Sequence, residues 1–523
     1  MQTAAHDEKL STSMERRAST WAGLPSELWD AVLSQLSRSD AGPTALSLSR
    51  ALPRTSISTS HLWQHVELTT AQQIRALSRV IHKDSERMDQ LRQSTCSLRS
   101  RVWLLDPHVL CNAVARFTEL KELEMSIGPA FPPTPLIELM QQTHQFTSLT
   151  SLKLIFNIYL VERSYYRFLA GIYFDGVLKE LAKWPGTVPL KRLSLIQTMP
   201  RMTHELRDGS EDLKPLSGAP RTRFAQPIVF FDLRCVAALC RNEQLTHLTI
   251  RIPRRRVLAV LSDNDPLDKP LLPQLRCLDV STTLVDSSAG MWQLLARFPR
   301  LEHLVLDETN LVTRSTSDEE LHAIGKNCAL TGLLRMKRLQ KLVKVSYNAF
   351  VAASPFDVPE RFILLPPAPC LRSICAGCEG LDDAAGLQKS FHKGWREGAN
   401  LVRDAVRDRL SDLDIASRKQ KTFAFLEFAN TDAISDAVYK KPVSIWQSFL
   451  DTWQLVPSTI ERARSLDERW ATAACVLCLT SDCAPSGMSA YDTDGYDCSP
   501  DWTRPPSSAH APGCAHLQSH DER

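Results

Sequence analysis

The sequence predicts a mixed α/β protein (α+β) in three parts: a short N-terminal helical module, an irregular solenoid of helix–turn–strand units, and a helical C-terminal cap. Three observations predict this class. A motif of spaced leucines recurs between about residues 100 and 380, helical runs precede several of its copies, and amphipathic helical patterns stand on both sides of that region. With 523 residues, 43% hydrophobic and 23% charged, the chain can bury a sizeable core.

The helical module is expected over residues 21–70, after a polar stretch (1–20) that we expect to be disordered. Its first helix carries apolar side chains at steps of four residues, which places them on one face. They are Leu24, Leu28, Val32 and Leu36, with Leu33 beside them. Pro25 stands in the first turn, where proline is tolerated because the N–H groups of that turn have no intrahelical acceptor. A helix this small needs a partner, either inside the chain or outside it.

A second short helix is expected from Thr44 to Leu52, after a break at residues 40–43. Its apolar positions are Leu46, Leu48 and Leu52. Pro53 is expected to end the helix, since proline cannot continue the hydrogen-bond pattern. A loop rich in Ser and Thr then leads to HLWQHVEL, residues 61–68, which includes Trp63.

The recurring motif is L-x-x-L-x-L or a close variant, which is the pattern of a leucine-rich repeat. Copies stand at Leu120-Leu123-Met125, Leu149-Leu152-Leu154, Leu190-Leu193-Leu195, Leu245-Leu248-Ile250, Leu275-Leu278-Val280 and Leu301-Leu304-Leu306. Two degraded copies stand at Leu339-Leu342 and Leu371-Ile374. In RLEHLVLDETNLV the motif is followed by Asn310-Leu311, as in a leucine-rich repeat.

The spacing of this motif has a physical meaning. The L-x-L end alternates with period 2, as in a strand with one buried face, and the first leucine stands at the turn into that strand. Helical runs are expected before four copies, over His108 to Phe117, Leu136 to Gln142, Phe231 to Arg241 and Met291 to Phe298. Units of this kind must stack to bury their apolar faces, so a solenoid is predicted over residues 71–385. The units are longer than regular repeats, and residues 201–223 and 262–273 are therefore expected to loop out.

The C-terminal region, residues 386–470, is expected to cap the solenoid. Its apolar positions recur at steps of three or four: Phe391, Trp395, Ala399, Val402, Val406 and Leu410. KTFAFLEFAN, residues 421–430, is expected to form a strand, and Ile434 to Leu455 a further helix. The tail, residues 471–523, is rich in Ser, Pro, Asp and Gly and is expected to be mostly disordered.

Composition and motifs argue against several classes of function. The N-terminus lacks the apolar core of a signal peptide, and no stretch reaches the roughly 18 apolar residues of a membrane helix. We therefore expect an intracellular protein, cytoplasmic or nuclear or both, with reduced thiols and no membrane contact. A net charge of +3 makes no case for nucleic acid. The motifs of hydrolase nucleophiles, P-loops, zinc proteases and dinucleotide sites are absent from the sequence, so no catalytic or cofactor residue is assigned.

The cysteines and one basic run leave two alternatives open. Among 14 cysteines are two C-x-x-C pairs, Cys375–Cys378 and Cys475–Cys478, almost a hundred residues apart. Zinc needs four ligands at defined spacing, so scattered thiols are the preferred interpretation and no metal ligand is assigned. A tail site that uses the second pair, Cys483 and one later ligand is the alternative. The run RIPRRR, residues 251–256, could bind a phosphate-bearing or acidic partner, but a solvated loop is preferred.

Residues 24–68 resemble an F-box, a small helical motif of about 45 residues. The matching positions are Leu24-Pro25-x-Glu27-Leu28, Val32-Leu33, Leu36, Leu46, Leu48 and Leu52, and the ending His61-Leu62-Trp63-Gln64-His65-Val66-Glu67-Leu68. LSLSRALPRT stands where the family usually carries a Val-Cys-Arg-x-Trp-like segment, so we expect a third helix that is short or distorted.

Over residues 24–410 the chain is similar to a group of fungal F-box proteins with irregular leucine-rich repeats. The likeness lies in LPSELW, ALSLSRALPR, FAQPIVFF (224–231), LEHLVLDETNL (301–311) and CAGCE (375–379). It implies that the module binds a Skp-type adaptor, and through it a cullin scaffold, while the repeats select a target protein for ubiquitination. It also implies that the adaptor-binding residues are Leu24, Pro25, Leu28, Val32, Leu33, Leu36, Leu46, Leu48, Leu52 and Trp63.

Three functions are therefore weighed. The first is a non-catalytic substrate receptor of a cullin–RING ubiquitin ligase. The second is a repeat scaffold in which the F-box-like segment only caps the solenoid. The third is an enzyme or metal protein centred on the cysteine-rich tail. We prefer the first, because an apolar helical stripe suits a groove on a partner and a repeat surface suits a protein target.

Overall fold

The chain divides into two compact units, residues 1–193 and 194–523. The computed structural model describes residues 25–36, 38–52, 60–81, 89, 92–102, 106–127, 131–156, 175–184, 188–197, 244–252, 255–259, 272, 274–285, 292, 295, 298, 300–313, 315–353, 362–364, 371–377, 384–418, 424–428, 453–456 and 475–480. Leu24, the expected disordered N-terminus, the helical run 231–241 and most of both expected insertions lie outside these residues.

Ten strands form the main sheet, and their order across the sheet follows the chain. They are His65–Leu68 (β1), Ser97–Ser100 (β2), Glu122–Ile127 (β3), Ser151–Phe156 (β4), Arg192–Gln197 (β5), His247–Arg251 (β6), Cys277–Asp279 (β7), His303–Val305 (β8), Ser373–Gly377 (β10) and Val476–Thr480 (β13). The pairs β1–β2, β2–β3, β3–β4, β6–β7, β7–β8, β8–β10 and β10–β13 run parallel. The predicted class, α/β, is confirmed at this level.

A second, three-stranded sheet has the order β12-β11-β9. Its strands are Phe362–Leu364 (β9), Ala424–Phe428 (β11) and Trp453–Val456 (β12). β11 pairs with β9 in parallel and with β12 antiparallel. The strand predicted within residues 421–430 is thus confirmed as β11.

In the first unit, helices alternate with the strands. They are Ser26–Ser34 (α1), Arg38–Ala51 (α2), Ser60–Trp63 (α3), Ala71–Ile81 (α4), Pro107–Val114 (α5), Pro133–Gln141 (α6) and Asp175–Ala182 (α7). Each helix from α4 onwards connects one strand to the next, and successive helices pack against each other. α5 begins where Asp106 caps it, with the carboxylate accepting the backbone N–H of His108 at 2.9 Å.

Leucines of the repeated motif form the core beneath the strands. Leu120, Leu123, Leu149 and Leu152 in the first unit are each at most 1% exposed, and the motif positions Leu275 and Leu304 in the second unit are fully buried. Burying a leucine contributes about 1.5–3 kcal/mol. The repeated leucines therefore supply the main apolar stabilisation of each unit.

The second unit contains two long helices, Asp318–Ala353 (α8) and Ala384–Arg418 (α9). Their contacts advance together along both sequences, from Asp318 beside Ser390 to Lys326 beside Glu397, so the helices run parallel. Glycines allow a close approach here. A Cβ on Gly394 would overlap the carbonyl oxygen of His322, and one on Gly398 would lie 2.5 Å from that of Lys326.

The strands expected from the repeated motif are confirmed as β3 to β8 and β10. The helices expected over 108–117 and 136–142 are confirmed as α5 and α6, which begin one and three residues earlier. α3 is four residues long, in keeping with the expected short third helix. Of the run 291–298, only three separate residues are described.

Two further expectations, a repeat copy and a break between helices, were wrong. The degraded copy at Leu339-Leu342 lies inside α8, because L-x-x-L spacing is equally the i, i+3 spacing of a helix. The break expected at residues 40–43 is also wrong, since α2 begins at Arg38 and Pro43 lies inside it. Pro43 is early in α2, where its missing N–H removes one intrahelical hydrogen bond while the following turns remain helical.

The C-terminal expectations need three corrections. Residues 453–456 form β12, although a helix was expected through Leu455. The helical region was expected to cap the stack, but the main sheet ends with β13, which lies beyond β10. α9 packs against β13. β13 stands inside the tail that was expected to be mostly disordered, since VLCLT combines β-branched and apolar residues that pair with β10.

Candidate functional site: an exposed apolar stripe on the N-terminal helices

α1 begins directly after Pro25, whose backbone is extended (φ −56°, ψ 148°). The Pro25 carbonyl oxygen accepts the N–H groups of Leu28 and Trp29 at 3.1 and 3.4 Å. Glu27 lies in the first turn, where a negative charge is favoured by the helix dipole. The Leu-Pro-x-Glu-Leu opening therefore sets the start of the helix, and Pro25 itself is exposed.

The apolar face of α1 divides into two adjacent stripes. Trp29 and Leu33 form one stripe and are 5% and 0% exposed, so they pack inside the module. The other stripe runs along Leu28, Val32 and Leu36, which are 51%, 54% and 37% exposed. Both stripes follow the i, i+4 spacing of one helix face. The helix therefore carries more apolar surface than its own fold buries.

α2 packs against α1 and against α3 and divides its apolar side chains in the same way. Ala45 is fully buried, whereas Leu46 is 41% exposed. The hydroxyls of Ser47 and Ser49 donate hydrogen bonds to backbone carbonyls of the same helix, at 2.9 and 2.8 Å, so their donor groups have partners within α2. α2 thus adds one exposed leucine to the apolar surface of the module.

The remaining predicted site residues are less exposed. Leu48, Leu52 and Trp63 are half-buried, and the N–H of Leu52 donates to the carbonyl of Leu48 at 2.8 Å. Of the ten predicted adaptor-binding residues, Leu33 faces the interior, so it supports the module rather than offering surface. Trp29, the second buried residue of α1, is not among the ten, and its burial agrees with the packing role that a tryptophan on a short helix suggests. One helix pattern cannot tell an inward stripe from an outward one when both are apolar.

Large exposed hydrophobic side chains are rare in the described part of the chain. Only five are found there: Leu28, Val32, Leu36, Leu46 and Leu401. Four of the five lie on α1 and α2 or directly after α1. Single exposed apolar residues are ordinary, but a group on one pair of helices is typical of an interaction site. We name Leu28, Val32 and Leu36 the exposed stripe.

A second candidate surface lies on the strands of the first unit. In register across β1 to β4 stand Glu67, Arg99, Glu124 and Lys153, so the signs alternate. Arg101 reaches Glu67 at 3.3 Å and Glu124 at 3.8 Å, and Lys153 reaches Glu124 at 3.2 Å. We name these five residues the charged ladder. Each member from β3 and β4 is the middle residue of an L-x-L motif, so an alignment of the repeats would have found it.

The same register in the second unit has a different character. Asp279, Val305, Cys375 and Cys478 follow one another across β7, β8, β10 and β13, and all four are buried. Asp279 pairs with Arg251, the first residue of the basic run, with Nη2 and Oδ2 2.5 Å apart. Arg251 is therefore part of the fold, which accounts for one charge of a run that was interpreted as a solvated loop.

Polar side chains also link neighbouring segments in the second unit, among them the buried Asp307 and the exposed Asn310. Asp307 accepts the N–H of Gly377 at 2.6 Å, and Asn310 accepts the N–H of Val285 at the same distance. His303 Nδ1 lies 2.8 Å from the hydroxyl of Ser373, but Ser373 is fully buried. A serine without access to solvent cannot attack a substrate, so this pair has a structural role.

Of the described cysteines in the second unit, Cys328, Cys375, Cys475 and Cys478 are buried and Cys277 is half-buried. Cys478 lies within β13, and Cys475 is the residue directly before that strand. Burial raises the pKa of the Cys475 thiol, and burial followed by the neighbouring Cys475 raises that of Cys328. Within the described residues no cluster of three or more His, Cys, Asp or Glu could hold a metal ion.

The comparisons with known proteins add no assignment. No protein-family model matches the sequence, and no curated protein matches it significantly. None of the helices in the described ranges is both long and apolar enough to cross a bilayer.

Proposed function

We propose that the protein is a non-catalytic substrate receptor of a cullin–RING ubiquitin ligase. In this proposal α1 to α3 form an F-box-like module that binds a Skp-type adaptor, and the adaptor joins the chain to a cullin scaffold. The single observation that carries the proposal is the exposed stripe of Leu28, Val32 and Leu36. It coincides with positions at which the sequence resembles an F-box.

The physical support comes from the division of α1 into two stripes. The inward stripe holds the helix to its own module, so the outward stripe is not needed for folding. An amphipathic helix that offers apolar residues at i and i+4, followed by a further leucine just after its end, is suited to a groove on a partner. Transferring such side chains into a partner contributes about 25 cal/mol per Å² of apolar surface removed from water.

We further propose that the strands and the helices between them form a leucine-rich-repeat solenoid. Support comes from a backbone contact that recurs in each unit, where one carbonyl accepts two successive N–H groups of the following repeat. In the first unit the accepting carbonyls are those of Gln64, Cys96, Lys121 and Thr150, and in the second unit those of Thr246, Arg276 and Glu302. Asn310 adds a contact of its side chain with the preceding repeat, through the N–H of Val285.

The charged ladder is the part of the repeat surface that we assign to the target protein. Four of its five charges are at least partly exposed, with Glu67 at 48% and Lys153 at 25% side-chain exposure, while Glu124 is buried among them. Alternating charges give specificity, since a mismatched partner leaves ions unpaired. A receptor of this kind needs no catalytic residue of its own, because holding the target beside the reactive thioester raises its effective concentration.

The proposal is tested by isolating the full chain from cells and measuring recovery of the Skp-type adaptor and the cullin. We expect both to be recovered with the unchanged chain. A variant with Leu28→Ala and Val32→Ala should lose both while remaining folded. Equal recovery from the variant and the unchanged chain would overturn the ligase proposal.

A second candidate is a repeat scaffold in which the helical module only caps the stack. The inward stripe of Trp29 and Leu33 favours it, because these residues are buried within the chain. Under this alternative no adaptor is recovered, and Leu28→Ala with Val32→Ala lowers solubility instead.

A further inference from the structure

The solvent side of α9 carries a row of cations. Lys389, Lys393 and Arg396 are exposed and stand at i, i+4 and i+7, so they share one face of the helix. The same face continues through Arg403 and Arg407. We name these five residues the basic face of α9.

The opposite side of α9 is packed. Phe391, Trp395 and Val402 are at most 3% exposed, and Gly394 and Gly398 contact the backbone of α8. Asp404 pairs with Arg407 of the basic face at 3.5 Å, so the basic face rests mainly on Lys389, Lys393 and Arg396. Glu397, Asp404 and Asp408 follow a neighbouring stripe, 60–100° away at about 100° per residue. Glu397 on that stripe bonds Lys326 and His322 of α8. Glu397 is therefore already occupied across the helix pair, and the cations of the basic face point away from α8.

The chain itself holds a segment of opposite charge directly after β13 in the sequence. Residues 481–503 contain five aspartates and no Lys, Arg or Glu. The aspartates are Asp482, Asp492, Asp494, Asp497 and Asp501, with Tyr491, Tyr496 and Trp502 among them. Aromatic rings of this kind can also lie against an Arg guanidinium.

The topology brings the start of this segment to the start of α9. Thr480, the last residue of β13, is the register partner of Gly377 in β10. From Gly377 the chain needs only seven residues to reach Ala384, where α9 begins. β13 also packs against α9. Thr480, the last described residue before the acidic segment, therefore lies at the end of the sheet from which the chain continues to α9.

The distances are within reach of the segment. Asp492 is twelve positions after Thr480, and an extended chain of that length spans up to about 40 Å. Lys389 to Arg396 cover only about 10 Å along the helix. Because the two groups belong to one chain, their encounter is intramolecular, at an effective concentration on the order of mM. Surface ion pairs that are weak one by one can add up under these conditions.

We propose that the acidic segment, residues 482–501, docks on the basic face of α9. The basic face is then an internal docking surface, and an acidic partner has to displace the segment to reach it. This inference is independent of the adaptor-binding proposal, because α9 and the tail share no residue with the exposed stripe.

The test uses zero-length carbodiimide cross-linking of the full chain, with mass spectrometry of the joined peptides. We expect cross-links from Asp492, Asp494 and Asp497 to Lys389 and Lys393. Arg396→Glu leaves both reactive lysines in place and should lower the yield about two- to tenfold. The matched control is Arg116→Glu, an exposed arginine of the first unit, which should leave the yield unchanged. In 1 M salt the cross-links should be lost, since the Debye length falls to about 3 Å.

Three outcomes would overturn the proposal. Cross-links from the tail to Lys121, Lys179 and Lys183 in equal yield would show that the segment has no preferred site. Yields that do not respond to Arg396→Glu would show that the basic face does not hold it. Cross-links between isotope-labelled and unlabelled chains in a mixed sample would show that the occupant is a second copy. A charge swap supports the proposal in the opposite sense. When Asp494→Lys and Asp497→Lys are combined with Lys389→Glu and Lys393→Glu, cross-links should still form, with the amine and carboxylate partners exchanged.

Discussion

The two helical regions of the molecule treat their apolar surface in opposite ways. In the α8–α9 pair, the aromatic and aliphatic side chains near the contact are buried, and glycines bring the backbones together. In α1 and α2, by contrast, half of the apolar face points outward. The difference indicates that the long pair is complete within the chain, whereas the N-terminal helices retain surface for something else.

The contrast also appears at the level of single glycines. Gly394 in α9 has no room for a methyl group, because the carbonyl of His322 stands where a Cβ would lie. Gly42 in α2 has nothing within 4 Å of that position. A glycine can therefore be required by close packing in one helix and be merely tolerated in another.

A large effect is expected for Gly394→Ala. The added methyl group forces α8 and α9 apart, and overpacking of this kind destabilises by about 1–3 kcal/mol or more. Gly42→Ala, with free space around it, should stabilise α2 by about 0.5–1 kcal/mol. Thermal or denaturant unfolding of both variants checks the pair. Equal stability of the two variants would show that α8 and α9 do not approach as described.

A comparable effect is expected inside α1. Leu33→Ala removes a fully buried side chain and should destabilise the helical module by about 2–5 kcal/mol. Leu28 is half exposed, so Leu28→Ala should change the stability by less than about 0.5 kcal/mol. Hydrogen exchange of the α1 amides separates the two, since exchange should accelerate only in Leu33→Ala. Faster exchange in both variants would mean that the exposed stripe is part of the core.

A smaller effect is expected from the charges between α8 and α9. The pKa of Glu397 lies below its ordinary value of 4.5, first because Lys326 donates a hydrogen bond to it and then because Lys326, His322 and Lys393 are positively charged. A lowered pKa means that the stabilisation is present above the ordinary value and is lost as the pH falls through the folded value. Unfolding midpoints at pH 6 and pH 3 should therefore differ more in the unchanged chain than in Glu397→Gln. An identical pH dependence would remove this contact from the account.

Much of the fold could be predicted from the sequence, because the repeated leucines mark strands directly. β3 to β8 and β10 follow from L-x-L alternation, which a buried strand face requires. β1, β2 and β13 escaped prediction because HVEL, SLRS and VLCLT lack the leading leucine and become strands only by pairing with a neighbour. The length of α8 also escaped, since L-x-x-L spacing fits a helix as well as a turn into a strand.

The candidate site could be predicted only in part. The sequence identified the apolar residues of α1, but it could not divide them into inward and outward stripes. That division depends on where α2 and α3 pack, which is a tertiary property. Leu33 and Leu28 are both leucines of one periodic pattern, yet one is fully buried and the other is half exposed.

The most direct test of the central claim is the affinity of the purified full chain for a purified Skp-type adaptor. We predict saturable binding that weakens at least about tenfold when Leu28→Ala and Val32→Ala are combined, because truncating central anchors of an interface costs more than about 1 kcal/mol each. Leu401→Ala is the matched control, since Leu401 is an exposed leucine on α9, and its affinity should equal that of the unchanged chain. Binding that is unchanged by the double substitution, or absent from the unchanged chain, would contradict the account.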